Sequence, residues 1–266
     1  MNEILTMSGF SAPDVKTSSP NLMTRDLAQR LSELAFLLDI DGTLLDLAPT
    51  PDAVVVSSAL LDELTLAERR LDGALALVSG RPIEELDRLF APLRLRASGV
   101  HGAEIRYAPL EPVRSLTSER MPERAWPQLQ RLLEGFPGVF AENKGVSYAV
   151  HYKLAPTVEA ELFLALKRYA ADFVASGLDV VRGLMVFELK LPGFDKGAAI
   201  RRFMARAPFA GRRPVFIADD KMDWPGFETV LALGGVGFSV GREMAGLTGS
   251  FSQPAAVRAW LGKVAA

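Results

Sequence analysis

Asp39 and Asp41 stand two residues apart in Asp39-Ile40-Asp41-Gly42-Thr43, directly after the apolar run 36–38. In an extended chain alternate side chains share a face, so both carboxylates project together while Ile40 points away, and Gly42 lets the backbone turn beside a ligand. Two like charges held this close need a cation between them or a proton on one of them, which is the condition for a nucleophile beside a general acid or base. Taken alone, the same five residues also suit an ordinary turn at a strand end, because Asp and Gly both favour turns.

Three later clusters carry related chemistry. Val78-Ser79-Gly80-Arg81-Pro82 follows the apolar run 74–78. Its hydroxyl and the free amides of a helix start can bind a phosphate oxygen, and Gly80 permits close backbone approach; the plainer and commoner reading is a strand-to-helix turn with proline in the first helical turn. Phe194-Asp195-Lys196-Gly197 opens a helix. A lysine there opposes the helix dipole and makes sense beside a bound anion, although a solvated surface lysine explains it equally well. Ala218-Asp219-Asp220-Lys221-Met222-Asp223 follows the run 215–217 and concentrates carboxylates that suit a hard cation such as Mg²⁺, or else form an Asp-rich turn.

The elements that must position these clusters read as a βαβ rhythm. The runs 36–38, 74–78 and 215–217 are short and wholly apolar, as strands buried on both faces are. Between the first two, Ser57 or Ser58 can cap a helix whose Leu60, Leu61 and Leu64 share a face; after the second, Ile83, Leu86, Leu89 and Phe90 form the apolar side of a helix over 82–90. Parallel strands joined by crossover helices place ligand sites at their carboxyl ends, where the clusters lie. From about residue 109 the pattern changes. A helix over 126–134, strands over 139–142 and 147–153, a helix from Thr157 and strands over 178–181 and 185–189 indicate a separate α+β module. In the strand from Ser147, Tyr148, Val150 and Tyr152 face one way and Ser147, Ala149 and His151 the other. The expected organisation is an N-terminal tail over 1–24, a catalytic core over 25–108 and 186–266, and an inserted cap over 109–185.

Composition narrows the partners. The 266 residues are 49% hydrophobic, enough for one large core or two smaller ones. With 30 basic and 32 acidic residues, there is no electrostatic case for nucleic acid or an anionic membrane, so any phosphate bound belongs to a small molecule. The absence of cysteine excludes disulfides and thiolate metal sites and fits a reducing compartment; His101 and His151 alone cannot build an imidazole-rich zinc site. Neither a secretory h-region nor an uninterrupted apolar stretch of roughly 18 residues occurs. A soluble, cytoplasmic monomer is the expectation.

The order of these motifs resembles that of the haloacid dehalogenase-like phosphohydrolases: D-x-D-G-T after the first strand, a serine at a later strand end, a downstream lysine and a final D-D-x-x-D. Within that superfamily, Asp39-Ile40-Asp41-Gly42-Thr43-Leu44-Leu45, the Ser79 and Lys196 clusters, and Gly99-Val100-His101-Gly102-Ala103-Glu104 are similar to the trehalose-6-phosphate phosphatases. The resemblance implies a Rossmann-like α/β core, a parallel sheet with helices on both faces, and a substrate-covering cap. It implies that Asp39 attacks phosphorus to form an aspartyl-phosphate, while Asp41 protonates the departing sugar oxygen and then activates water. Lys196 and Mg²⁺ offset the negative charge, the cation being assigned to Asp39, the main-chain carbonyl of Asp41, and Asp219. Asp220 and Asp223 stand outside these ligands, holding metal-bound water or steering Lys196. Thr43 and Ser79 bind phosphoryl oxygens in a loop completed by Gly80 and Arg81. In the cap, Glu142, Lys144 and Glu188 contact sugar hydroxyls, although Asn143-Lys144-Gly145 also reads as a hairpin turn. His101 supports its loop and His151 is structural.

Four positions depart from the family pattern. Ala218, Met222 and Trp224 replace Gly, Thr and Glu, and Leu184 replaces a lysine that touches the sugar. The catalytic positions are retained, so the departures bear on the identity of the sugar more than on the chemistry. Three readings compete: a Mg²⁺-dependent phosphatase for trehalose 6-phosphate or another phosphorylated sugar of sucrose or glucosylglycerol type, a phosphomutase, and a catalytically silent sugar-phosphate-binding regulatory protein.

Overall fold

A computed structural model describes residues 31–48, 53–117, 120–173, 175 and 177–265. The expected tail over 1–24 lies outside them. In chain order the elements are β1 (Leu34–Leu38), α1 (Ser58–Arg70), β2 (Leu75–Val78), α2 (Ile83–Leu89), β3 (Arg96–Gly99), β4 (Glu104–Arg106) and β5 (Arg114–Ser115). There follow α3 (Ala125–Leu133), β6 (Phe140–Asn143), β7 (Ser147–His151), α4 (Glu159–Ala171), β8 (Asp179–Gly183) and β9 (Val186–Lys190). The chain ends with α5 (Lys196–Met204), β10 (Arg213–Ala218), α6 (Trp224–Ala232), β11 (Val236–Val240), β12 (Gly249–Phe251) and α7 (Pro254–Ala265).

An eight-stranded sheet runs β12-β11-β10-β1-β2-β3-β4-β5. Its pairings are parallel from β12 to β3 and antiparallel through β4 and β5. All five residues of β1 are buried, which is why its sequence shows no alternation. Phe36 stacks on Trp260 of α7 with centroids 5.5 Å apart; Phe216, in register with Leu37, packs on Phe227 of α6 at 5.0 Å. Neighbouring residues of a strand point to opposite faces, so α7 and α6 cover the two faces of the sheet. Ser57 starts α1 by accepting the Leu60 N–H, and Leu60 and Leu64 bury its apolar stripe. No helix among the described residues is long and apolar enough to cross a membrane.

The second sheet, β6-β7-β9-β8, is antiparallel throughout. Tyr148, Val150 and Tyr152 enter a separate core with Leu162, Leu166, Phe187 and Leu189. On the opposite face, register aligns Glu142, Ala149 and Glu188 in one row across three strands. Small Ala149 leaves space between two carboxylates.

The boundaries of the inserted module differ from the expected 109–185. β5 hydrogen-bonds to β4 in the large sheet, whereas β9 pairs with both β7 and β8, and the second core extends from Met121 to Leu191. A boundary at 185 separates β9 from its partners. The alternation of Phe187 and Leu189 with Glu188 and Lys190 marks β9 as a strand but does not record which sheet receives it, because pairing is a long-range choice.

Candidate active site

Strands β10, β1 and β2 are parallel neighbours, so the residues that leave their carboxyl ends emerge at one edge. Asp39, Ser79 and Asp219 meet there. Asp39 is 4% exposed; its Oδ1 accepts from Lys196 Nζ at 2.5 Å and its Oδ2 from the Thr43 hydroxyl at 2.8 Å. Lys196, the first residue of α5, is buried rather than solvated. Asp195 caps that helix through the Ala198 N–H, and Gly197 lets α5 approach α6 so closely that a Cβ would strike the Pro225 carbonyl oxygen. These contacts deliver the ammonium to the end of the sheet.

Lys196 Nζ also lies 2.6 Å from Asp223 Oδ1. Burial alone would lower the pKa of the ammonium, but Asp223 and Asp39 outweigh it and raise it, so Lys196 stays charged. Asp39, Asp219 and Asp223 each present an oxygen within 4.8 Å of the others. Burial, reinforced by the charge of Asp39, pushes the Asp219 carboxyl up to about 8. Burial likewise pushes Asp223 up to about 7, with Lys196 opposing and Asp39 adding to the shift. Ionising all three against one ammonium would leave uncompensated negative charge, so without a cation Asp219 and Asp223 tend to hold protons; an all-oxygen donor set of this kind fits a hard divalent cation. Gly42, at φ +76°, brings its loop so near that a Cβ would overlap the Asp219 carboxylate.

Asp41 stands apart from that cluster. Its carboxylate is gripped by Arg81, Nε to Oδ2 at 2.7 Å and an outer guanidinium nitrogen to Oδ1 at 2.8 Å. The Arg81 N–H in turn donates to Ser79 Oγ at 3.1 Å. In this structure Arg81 reaches Asp41, and the Thr43 hydroxyl is turned to Asp39.

The cap lays its Glu142, Ala149 and Glu188 row over this edge. Lys144 Nζ donates to Glu188 Oε1 at 2.8 Å, and His101 Nε2 lies 3.1 Å from the same oxygen, off the line of a hydrogen bond. Burial would raise the Glu188 carboxyl, but Lys144 and His101 hold it well below the usual carboxylate range. Glu188 Oε2 is buried with no partner among the described residues. His151 Nε2 lies 3.4 Å from Glu142 Oε2. One cavity between cap and core is lined by every expected site residue except Thr43.

A family model described as trehalose-phosphatase matches residues 37–249. The chain belongs to that family. It is 40% identical over 215 residues to the probable trehalose-phosphate phosphatase of Sinorhizobium fredii, covering 81% of this chain and 80% of that protein. It is 39% identical over 210 residues to the trehalose-6-phosphate phosphatase of Escherichia coli K12, covering 79% and 78%. Among solved structures, the C-terminal domain of Candida albicans trehalose-6-phosphate phosphatase superposes with a TM-score of 0.81, covering 94% of this chain and 97% of that one; at 19% identity the likeness speaks to the fold.

Other features of this member of the trehalose-phosphatase family were not visible locally. His101 sits in the cavity at φ +53°, next to Val100 at +46°, and its N–H donates to the Ser79 carbonyl at 3.1 Å. Its ring covers Gly80 so closely that a Cβ there would collide with it. The motif Gly-Val-His-Gly marked a loop, but not the strained turn that aims the imidazole at Glu188. Both Asp220 carboxylate oxygens accept main-chain N–H groups, from Leu184 and Met222. Leu47, Val54, Leu184, Met185 and Met222 add apolar surface to the cavity lining, and nothing in the spacing of Leu47 or Val54 signals that position.

Proposed function

We propose that the chain is a Mg²⁺-dependent phosphatase that hydrolyses trehalose 6-phosphate to trehalose and inorganic phosphate through an aspartyl-phosphate on Asp39. The observation that carries this reading is Asp39 itself. Both of its oxygens are fixed, by Lys196 and Thr43, beside Asp219 and Asp223 and beneath the wall formed by Glu142, Lys144 and Glu188.

An Asp39 oxygen attacks phosphorus as the bond from phosphorus to the sugar oxygen breaks, and Asp41 in its acid form gives that oxygen its proton. Water then attacks the aspartyl-phosphate, Asp41 takes a proton from it, and the bond from Asp39 to phosphorus breaks to release phosphate. Arg81 sets the direction of the Asp41 carboxyl. Ser79 and the adjacent amides receive phosphoryl oxygens, and Lys196 keeps its charge against the transferring group. Asp39, Asp219 and the Asp41 carbonyl are the groups we assign to Mg²⁺, with Asp223 bordering it beside Lys196. When bound, the cation supplies the charge neutralisation that lets a phosphate dianion approach a carboxylate.

The sugar lies against the cap. Glu188 Oε2 is a buried acceptor awaiting a donor, and a sugar hydroxyl supplies one. A second reading, hydrolysis of a different phosphorylated sugar, is favoured by the apolar side of the cavity around Leu184 and Met222. The partner in either case is a small sugar phosphate, and a cysteine-free chain suits the reducing cytoplasm.

The test is phosphate release from trehalose, sucrose, glucose and glucosylglycerol phosphates, with Mg²⁺ and with chelator, for the native protein and Asp39→Asn. Trehalose 6-phosphate should be turned over fastest and only with Mg²⁺. Asp39→Asn should lose activity by about 10⁴-fold or more while keeping its melting temperature within a few degrees. Near-normal turnover by that variant rejects Asp39 as nucleophile, tight binding without release indicates a silent binding protein, and conversion to an isomeric phosphate indicates a mutase.

A further inference from the structure

The turn that joins β8 to β9 rests on the acidic loop of the core. Its Leu184 N–H donates to Asp220 Oδ2 at 2.5 Å, and the other oxygen of that carboxylate accepts from the Met222 N–H at 3.1 Å. At Gly183 a Cβ would fall 2.5 Å from Met222 Sδ and 2.9 Å from Val186 Cγ1, so a side chain there must displace its neighbours, the Met222 thioether first. Met185 completes the turn at φ +60°, a conformation that costs a residue with a side chain. The cap tip is held in shape by what it touches, and what it touches belongs to the core.

The same loop leads to the nucleophile. Asp220 N–H donates to Asp223 Oδ2 at 3.2 Å, Asp223 pairs with Lys196 at 2.6 Å, and Lys196 pairs with Asp39 at 2.5 Å. Cap tip and nucleophile are thus the two ends of one continuous polar chain.

We infer that Asp220 is a positioning residue that latches the cap, taking the Leu184 amide when the cap is seated and so joining cap seating to the arrangement of Asp223 and Lys196. This rests on the phosphatase reading above. The latch uses a main-chain amide, and it therefore works whatever side chain stands at position 184. A disaccharide phosphate needs the cap seated to meet Lys144 and Glu188, whereas a small aryl phosphate reaches Asp39 without them. Asparagine at 220 cannot replace the carboxylate, because its amide group would face one of the two N–H donors.

Four variants test the latch: Gly183→Val, Asp220→Asn, the two combined, and Gly183→Val with Met222→Ala. Each is assayed at saturating Mg²⁺ with trehalose 6-phosphate and with p-nitrophenyl phosphate, and amide exchange at Leu184 is followed in the metal-free protein. Either single change should raise KM for trehalose 6-phosphate about tenfold, and Gly183→Val should keep the aryl phosphate kcat/KM within about threefold of the native value. The combined change should be no worse than either alone, and Met222→Ala should return Leu184 exchange in Gly183→Val to within about threefold of native. Leu184 exchange should quicken about tenfold or more in each unrescued variant. Additive KM effects, equal losses on both substrates in Gly183→Val, or unaltered Leu184 exchange would overturn the latch. If the native protein turns over neither substrate, the phosphatase reading fails, and Leu184 exchange in Gly183→Val with and without Met222→Ala still decides the latch.

Discussion

Arg81 holds Asp41 by a two-point ion pair across 40 residues of sequence, with contacts of 2.7 and 2.8 Å. Such a fork fixes the plane of the carboxyl as well as its position, which a single-point cation does not do. Arg81→Ala should therefore lower kcat/KM by about a hundredfold, and Arg81→Lys should recover only a small part of that loss, because an ammonium cannot reproduce the fork. Steady-state phosphate release measures both. Full recovery with lysine would mean that charge alone is required at this position.

Lys196 is the one ammonium in contact with Asp39 and Asp223 among the described residues. Replacing it with methionine leaves the carboxylates of Asp39, Asp219 and Asp223 facing one another, a loss of about 3–5 kcal/mol for a buried pair broken on one side. The metal-free protein should melt several degrees lower, and turnover should fall by about 10³-fold or more. Added Mg²⁺ should raise the melting temperature of Lys196→Met by more than it raises that of the native protein. An equal rise in both would show that the cation does not lie among the partners of Lys196.

What the sequence disclosed and what it withheld divide along a physical line. Asp39, Ser79 and Asp219 each follow a short apolar run, and a parallel sheet carries such residues to one edge whatever happens between them. The cap was marked by a change of rhythm, and the two faces of β7 were readable from alternation: Tyr148, Val150 and Tyr152 fill the cap core while Ala149 joins the Glu142 and Glu188 row. Contacts between segments left no local trace. The grip of Arg81 on Asp41, the turn of Thr43 toward Asp39, the membership of β9 in the cap sheet and the approach of His101 to Glu188 all depend on how separate elements dock. Lys196 shows the division most sharply. At the start of a helix it reads as surface or site alike, and only the close crossing of α5 and α6 at Gly197 buries it.

The acidic cluster predicts how pH governs the cation. Asp219 is raised to about 8 and Asp223 to about 7, from an ordinary value of 3.8. A carboxyl whose folded pKa is raised favours the fold at low pH and loses that contribution as pH climbs from its unfolded value through its folded one. The metal-free protein should accordingly lose stability from these two groups between about pH 4 and 8, and Mg²⁺ should restore it by displacing their protons. Below pH 7 the Mg²⁺ affinity should fall about tenfold per pH unit for each proton displaced. Calorimetric titration in two buffers of different ionisation enthalpy counts the protons released at pH 6.5. A count of zero would separate the cation site from Asp219 and Asp223.

Substrate choice should reside in the cap wall and not in the phosphate end. Lys144 is almost fully enclosed and donates to Glu188, whose second oxygen has no donor among the described residues. A site built to bond hydroxyls discriminates strongly against ligands that lack them, because its own buried polar groups are then left unpaired. Lys144→Ala removes a partner of Glu188 without touching Asp39, Asp41 or Lys196, so the two ends of the cavity can be separated. We expect kcat/KM for trehalose 6-phosphate to fall by about 10²-fold or more, and that for p-nitrophenyl phosphate to change by less than about threefold. Leu184→Lys combined with Met222→Thr probes the apolar part of the lining: it should improve the use of the more hydroxylated sugars in the panel and leave the aryl phosphate unchanged. Parallel losses on both substrates in Lys144→Ala would instead make the wall a support for the fold, with specificity set elsewhere in the cavity.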